Sequence, residues 1–294
     1  MSWVLFSVLA ALIWSISSII DKFVLSKWVK NPNVPVIFTS VIGLIGALFI
    51  YLLHGFSPLS YLNIGLAFIS GASFIISCIL YFKAVQIEEI SRVVPMFYLS
   101  PLFVMIMAAI FLGEVFGPLK YLGIFLLVIG AIIISSKNLK MRFGKAFWLM
   151  ITCSLLGAAG TVITKYLLNF ADFWTIFSYT RIGTVFALIP IFYLNFPDLI
   201  STIKKHGKKV VGVISFNTSL NLVGVLFITI ALSMGFVTLV NALSSVQPFF
   251  VLLFTVILSR FYPRILKEEI GKSTILIKVI AIILMFVGAI LISQ

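Results

Sequence analysis

Ten apolar runs, each near the roughly 20 residues that a helix needs to cross a bilayer, dominate this chain and exclude most other ways of folding it. They read as Trp3 to Ile20, Val34 to Leu53, Leu62 to Val85, Val93 to Phe111 and Leu119 to Ser135, then Phe147 to Leu168, Phe173 to Leu194, Val210 to Leu232, Val237 to Leu258 and Thr274 to Ile292. A basic connector separates the two sets of five. Hydrophobic residues make up 62% of the 294 and charged residues 10%, against about half and about a quarter in soluble domains. The pattern predicts an all-α integral membrane protein of ten transmembrane helices, with no room for a soluble domain of ordinary size. No charged segment precedes the first run, so that helix is expected to stay rather than be cleaved as a signal peptide.

Composition removes several chemistries. The two cysteines, Cys78 and Cys153, and the two histidines, His54 and His206, cannot build a zinc or iron–sulfur cage at the usual spacings. Both cysteines fall in apolar runs and read as small packing residues. A formal net charge of +13 points to nucleic acid only where a soluble basic face carries interleaved aromatics. Here the cations stand in short connectors, and no nucleic-acid partner is expected. No Gly-x4-Gly-Lys-Ser/Thr loop occurs, which argues against direct use of ATP. No cofactor or metal is expected.

The cations mark the sides of the membrane. Lys22, Lys27 and Lys30 follow the first run, Lys83 and Arg92 flank the third connector, and Lys137, Lys140, Arg142 and Lys145 follow the fifth run. Lys204, Lys205, Lys208 and Lys209 follow the seventh, and Arg260, Arg264, Lys267 and Lys272 the ninth. The remaining connectors hold only Lys120 and Lys165, while Arg181 and Lys278 lie within runs. The positive-inside rule then places the odd-numbered connectors in the cytoplasm and both termini outside, in a multi-pass protein of the cell membrane.

Sliding the sequence on itself by about 145 residues exposes a repeat. Around the fourth and ninth runs, Ala84 falls on Ala231, Val93 on Val240, Pro101 on Pro248, Phe103 on Phe250, Val104 on Val251 and Ile110 on Ile257. Slightly different offsets bring Lys22 onto Lys165, and Lys120, Gly130 and Ser135 onto Lys278, Gly288 and Ser293. Two units result, residues 1–137 and 138–294. Each has an odd number of helices, so the two are expected to be inverted repeats.

Candidate pathway residues are the polar and helix-breaking positions inside the runs. Pro101 and Pro248, near the middle of their spans, each remove an amide donor and free the carbonyls of Phe97 and Ser244. A lone proline reads as a packing kink, but a matched pair reads as two kinks lining a midplane cavity. Asn241, Ser244, Ser245 and Pro248 make one face of the ninth run polar, with Gln247 beside them. Asn217 and Asn221 stack on the eighth run, Trp14, Ser17 and Asp21 on the first, and Tyr98 and Ser100 flank Pro101 on the fourth. Such faces avoid lipid, and either converge on one site or glue the bundle by interhelical hydrogen bonds.

Arg181 lies two turns inside the seventh run with no acid one turn away on its own helix. It reads as a fork for a substrate carboxylate or phosphate, or as half of an ion pair with another helix. Asp21 is a site for a proton or a cationic substrate, or a neutralised interfacial charge. Lys22 and Lys165, at matched ends of the first and sixth runs, attract anions at the two mouths of the pathway or serve as snorkelling anchors; Glu114 reads as a cap at the membrane surface, and His54 and His206 as interfacial and loop residues. Gly123, Gly130, Ala281 and Gly288 form small-residue stripes that pack inside the monomer or join a homodimer.

Five plus five helices, the Ala84 to Pro101 stretch, the Leu112-Gly113-Glu114 ending and Gly130 near the end of the fifth run resemble the drug/metabolite transporter superfamily, EamA type, over nearly the whole chain. The second half departs from that pattern, with Ser259-Arg260-Phe261 in place of Leu-Gly-Glu. The topology departs too, since many family members are described with cytoplasmic termini. The resemblance implies a secondary transporter that exports or exchanges small metabolites by alternating access. Arg181 tips the expected substrate toward amino-acid-like or other anionic or zwitterionic solutes. A flippase for lipids or lipid-linked sugars is the alternative within transport. A membrane-embedded enzyme requires a nucleophile–base pair or metal ligands near one face, and no such cluster is visible. A receptor-like binding module leaves the inverted repeat without a use. The expected partners are a small-molecule substrate and the lipid bilayer.

Overall fold

The computed structural model describes residues 2–87, 93, 96–97, 99–135, 144–261 and 272–293, and among these the chain is helical with no strand. The helices are α1 (Ser2–Lys27), α2 (Asn33–His54), α3 (Tyr61–Ile87), α4 (Ser100–Leu112), α5 (Pro118–Ser135), α6 (Lys145–Leu167), α7 (Phe173–Met234), α8 (Val237–Ser244), α9 (Gln247–Phe261) and α10 (Lys272–Ser293). Among the described residues, six stretches are long and apolar enough to cross a membrane, in α1, α2, α3, α6, α7 and α8 with the start of α9. Shorter apolar helices stand in α4, α5 and α10. Over the described residues the chain is thus a multi-pass, helical membrane protein. The cations Arg92, Lys137, Lys140, Arg142, Arg264 and Lys267 lie outside the described residues.

The basic connector expected between the seventh and eighth runs is not a loop. Helix α7 spans 62 residues, about 93 Å if straight, far more than the ~30 Å of a bilayer interior. It divides at Gly207, whose φ of 66° and ψ of −160° leave the helical region, a conformation glycine takes without steric cost. The two arms are residues 173–206 and 208–234. The first arm passes beyond Leu194 because Leu199 and Ile203 keep an apolar face that packs with Val210 and Ile214 against Val24, Trp28 and Val29. Hydropathy marks where residues leave lipid, not where the helix ends. His206, expected in a loop, therefore sits on the last turn of the first arm, its ring 6.5 Å from that of Trp28.

The fourth and ninth spans also differ from expectation. Pro101 and Pro248 do not kink continuous helices at mid-span; each stands in the first turn of a new helix, α4 and α9. There the missing amide costs nothing, because the first-turn amides have no intrahelical acceptor. The break itself is made by tight turns. Leu102 donates to the Leu99 carbonyl at 3.1 Å, and in the ninth span Ser245 and Val246 donate to Ala242 and Leu243 at 3.0 and 3.1 Å. The Phe97 carbonyl, expected to be freed, accepts from Ser154 Oγ at 3.4 Å, and Met96 accepts from the same hydroxyl at 3.2 Å.

Small residues decide how closely helices approach. A Cβ on Gly123 would lie 2.9 Å from the Gly288 carbonyl oxygen, so the small-residue stripes of α5 and α10 meet each other inside the monomer. Gly183 on α7 is seated against α3, where a Cβ would lie 2.6 Å from Phe68 Cα. Hydroxyls then tie α3 to α6: Ser70 donates to Gly160 at 2.9 Å and Ser77 to Cys153 at 3.2 Å. Polar groups buried away from water must be paired, and these pairs meet that demand across helices.

Candidate functional site

Helices α1, α3, α4, α6, α7 and α8, with the turn into α9, surround a cavity of about 250 Å³. Of the residues singled out in the sequence, Trp14, Ser17, Ser100, Pro101, Arg181, Asn221, Asn241, Ser244 and Gln247 line it. Asn217 lies instead in an adjoining pocket of about 30 Å³, which shares Ser17, Asp21, Cys78 and Asn221 with the cavity. Pro248 lines neither space and is packed in the interior. Tyr98 lies outside the described residues. The polar stripe expected on the ninth span is otherwise intact, since Asn241, Ser244, Ser245 and Gln247 all reach the cavity.

Arg181 is placed by the close crossing of α3 and α7 at Gly183. Only 5% of it is exposed. Its guanidinium carbon stands 4.4 Å from the centre of the Phe74 ring and 5.7 Å from that of Phe177. A cation over an aromatic face in a desolvated place is stabilised by about 2 kcal/mol. That does not replace hydrogen bonding, and Nε is buried without a partner. The ion pair considered from the sequence is not seen among the described residues.

The other charges of the interior are held by specific contacts. Asp21 Oδ1 accepts from Asn217 Nδ2 at 2.6 Å. Lys22 Nζ donates to the Val85 carbonyl at 3.2 Å, and Lys165 Nζ donates to Leu232 and Gly235 at 2.7 Å each. These lysines are tied to the ends of helices. Cations at helix C-termini meet the carbonyls that have no intrahelical donor. Gln247 reaches across to α1, donating to Ser18 Oγ at 3.0 Å.

Two acids cap helices. Glu114, 6% exposed, accepts the Val237 amide at 2.8 Å and the Thr238 amide and hydroxyl at 3.0 and 2.9 Å. It caps α8 and is buried between the end of α4 and the start of α8. Asp172 caps α7, with Oδ1 accepting from the Trp174 and Thr175 amides and Oδ2 from the Thr175 and Ser57 hydroxyls. Partial burial pushes this carboxyl up, but the hydrogen bonds from Thr175, Ser57 and Trp174 outweigh it and hold the group below its ordinary value.

Sequence reading missed the walls supplied by α3 and α6. Ser70, Phe74, Ser77 and Tyr81 recur at helical spacing and all line the cavity, as do Gly157, Gly160, Thr161 and Thr164. Their signal was present as a face of small and hydroxyl residues, the same pattern that marks ordinary helix packing.

Together these features define an integral membrane protein with a largely apolar chamber, studded with polar side chains, inside its helices. Residues 1–136 match the model of the EamA-like transporter family, a family of membrane transporters, so the resemblance read from the sequence is borne out over that stretch. The search of curated proteins returned no match. A protein solved by crystallography resembles this chain with a TM-score of 0.71 at 14% identity, over 99% of this chain and 95% of that one. At that identity the likeness speaks for the fold.

Proposed function

We propose that the chain is a secondary transporter of small metabolites, in which residues 1–137 and 138–294 are inverted five-helix units that rock about the central cavity. The observation that carries this reading is Arg181, a guanidinium turned into a largely apolar chamber inside the membrane with hydrogen-bonding capacity left over. Such a group is costly unless it has a partner, and an arriving carboxylate or phosphate supplies one bidentately. Amino-acid-like or other anionic and zwitterionic solutes fit that demand, and export or exchange is the expected direction.

Contacts support the inverted repeat. Lys22 and Lys165 are repeat mates, and so are Val85 and Leu232, the residues whose carbonyls they hold. The same offsets pair Asp21 with Thr164 and Asn217 with Ser70. Asp21 bonds Asn217 at 2.6 Å, and Thr164 bonds Ser70 at 2.9 Å. Two units that make the same cross-helix contacts have two equivalent ways of closing, the requirement for alternating access.

Purified protein in liposomes provides the test, with labelled carboxylate and phosphate metabolites offered singly and against an internal pool. Saturable uptake that Arg181→Ala abolishes is expected. Lipid scrambling in the same vesicles, without solute uptake, would make the chain a flippase instead.

A further inference from the structure

The pocket of about 30 Å³ beside the cavity is large enough for one water molecule or one monatomic ion. Its walls supply oxygen ligands from three helices: Ser17 and Asp21 from α1, Thr39 from α2, and Asn217, Thr218 and Asn221 from the second arm of α7. Two of these oxygens are orphaned. Asn217 Oδ1 and Ser17 Oγ are buried with no hydrogen-bond partner, on residues 6% and 2% exposed. Thr39 gives its hydroxyl proton to the Pro35 carbonyl at 3.1 Å and keeps its lone pairs for the pocket. Asp21 adds a carboxylate, bonded on one oxygen to the Asn217 amide.

Three occupants can be compared by what each satisfies. A water molecule can donate to Asn217 and Ser17 but leaves the carboxylate charge uncompensated in the membrane interior, where an isolated charge is expensive. A proton on Asp21 removes the charge and can bond Asn217 Oδ1 in return for the amide it accepts, but it leaves the second orphan, Ser17 Oγ, without a partner. A small monovalent cation does both at once, because hard cations take carboxylate, amide and hydroxyl oxygens together. One carboxylate matches one positive charge. The repeat mates of the pair, Thr164 and Ser70, are neutral and satisfy each other, so only one of the two units carries this charge.

We propose that Asp21, Asn217, Ser17, Thr39, Thr218 and Asn221 form an alkali-cation site sized for sodium. Asp21 and Asn221 face both this pocket and the central cavity, so an ion held here braces α1 against α7 beside the substrate. Its use as a coupling ion rests on the transport reading; the binding itself does not.

Melting of the purified protein in detergent tests the site, with sodium chloride titrated against choline chloride at constant ionic strength. A saturable rise of Tm with sodium is expected, and Asp21→Asn should raise the apparent Kd at least about tenfold, the scale on which altered ligand shells act. Ser17→Ala and Thr39→Val, which keep the carboxylate and change little volume, should weaken sodium binding while the protein still folds. No sodium response in wild type overturns the site, as does a response unchanged in all three variants. A Tm that follows pH between 8 and 6 with no dependence on sodium overturns it in favour of a proton on Asp21, with Cys78 and Tyr81 as the neighbouring titratable groups. Sodium binding without solute uptake sinks the transport reading alone, and uptake without sodium binding sinks only this proposal.

Discussion

Lys22 and Lys165 make the same contact from opposite halves of the chain, the first holding the Val85 carbonyl near the end of α3 and the second the Leu232 carbonyl near the end of α7. Lys165 also holds Gly235, where the chain turns into α8. Charged donors to backbone carbonyls contribute about 2 kcal/mol each, so removing one leaves buried acceptors bare. Lys165→Met and Lys22→Met are each expected to lower stability by about that amount or more. Denaturation of both variants and of wild type in the same detergent checks this.

Arg181→Ala should lower substrate affinity at least tenfold, the low end of the roughly 2–5 kcal/mol lost when one side of a desolvated charged pair is truncated. Arg181→Lys keeps the charge, loses the planar fork and should fall between. Melting without substrate should hold or rise in Arg181→Ala, because no protein carboxylate is left behind. A collapse of ligand-free melting with normal binding by the folded fraction would make Arg181 a scaffold residue.

Glu114→Ala strands the Val237 and Thr238 amides in the interior and is expected to cost about 3 kcal/mol. Glu114→Gln keeps the shape but can accept on one oxygen only, so it should cost less. The readout is thermal melting together with the protein's yield from membranes.

Asp172 is expected to make stability depend on acid pH. Its folded value lies below the unfolded one, so its contribution is complete above the unfolded carboxylate range. That contribution disappears as pH falls through the folded value. Asp172→Ala should remove this pH dependence and cost about 1 kcal/mol as a lost helix cap. Melting of wild type and variant between pH 3 and pH 7 compares the two slopes; parallel curves would discard the assignment.

Both termini are expected outside, from the cations that follow the odd-numbered runs. Alkaline phosphatase fused after Gln294 should be active, and green fluorescent protein in its place dark. The reverse pair of results would invert the topology.

How far the sequence reached depends on which property is local. Lipid residence is set residue by residue, so the apolar runs, the membrane class and the resemblance to the EamA type were legible without coordinates. Most of the cavity wall on α1, α7, α8 and α9 was legible as well, because polar residues on one helical face have no place in lipid. Other features are relations between helices. That α3 and α6 complete the cavity follows from close crossings at small residues such as Gly183, and no periodicity within one helix records a crossing partner. Whether Arg181 meets an acid, and whether Asp21 meets Asn217, is decided by distances across the bundle. The helix through residues 195–206 and the breaks before Pro101 and Pro248 belong to the same kind. The chain determined which faces must hide from lipid; the tertiary packing decided which of them face one another, since only contact between helices settles how each polar group is paired.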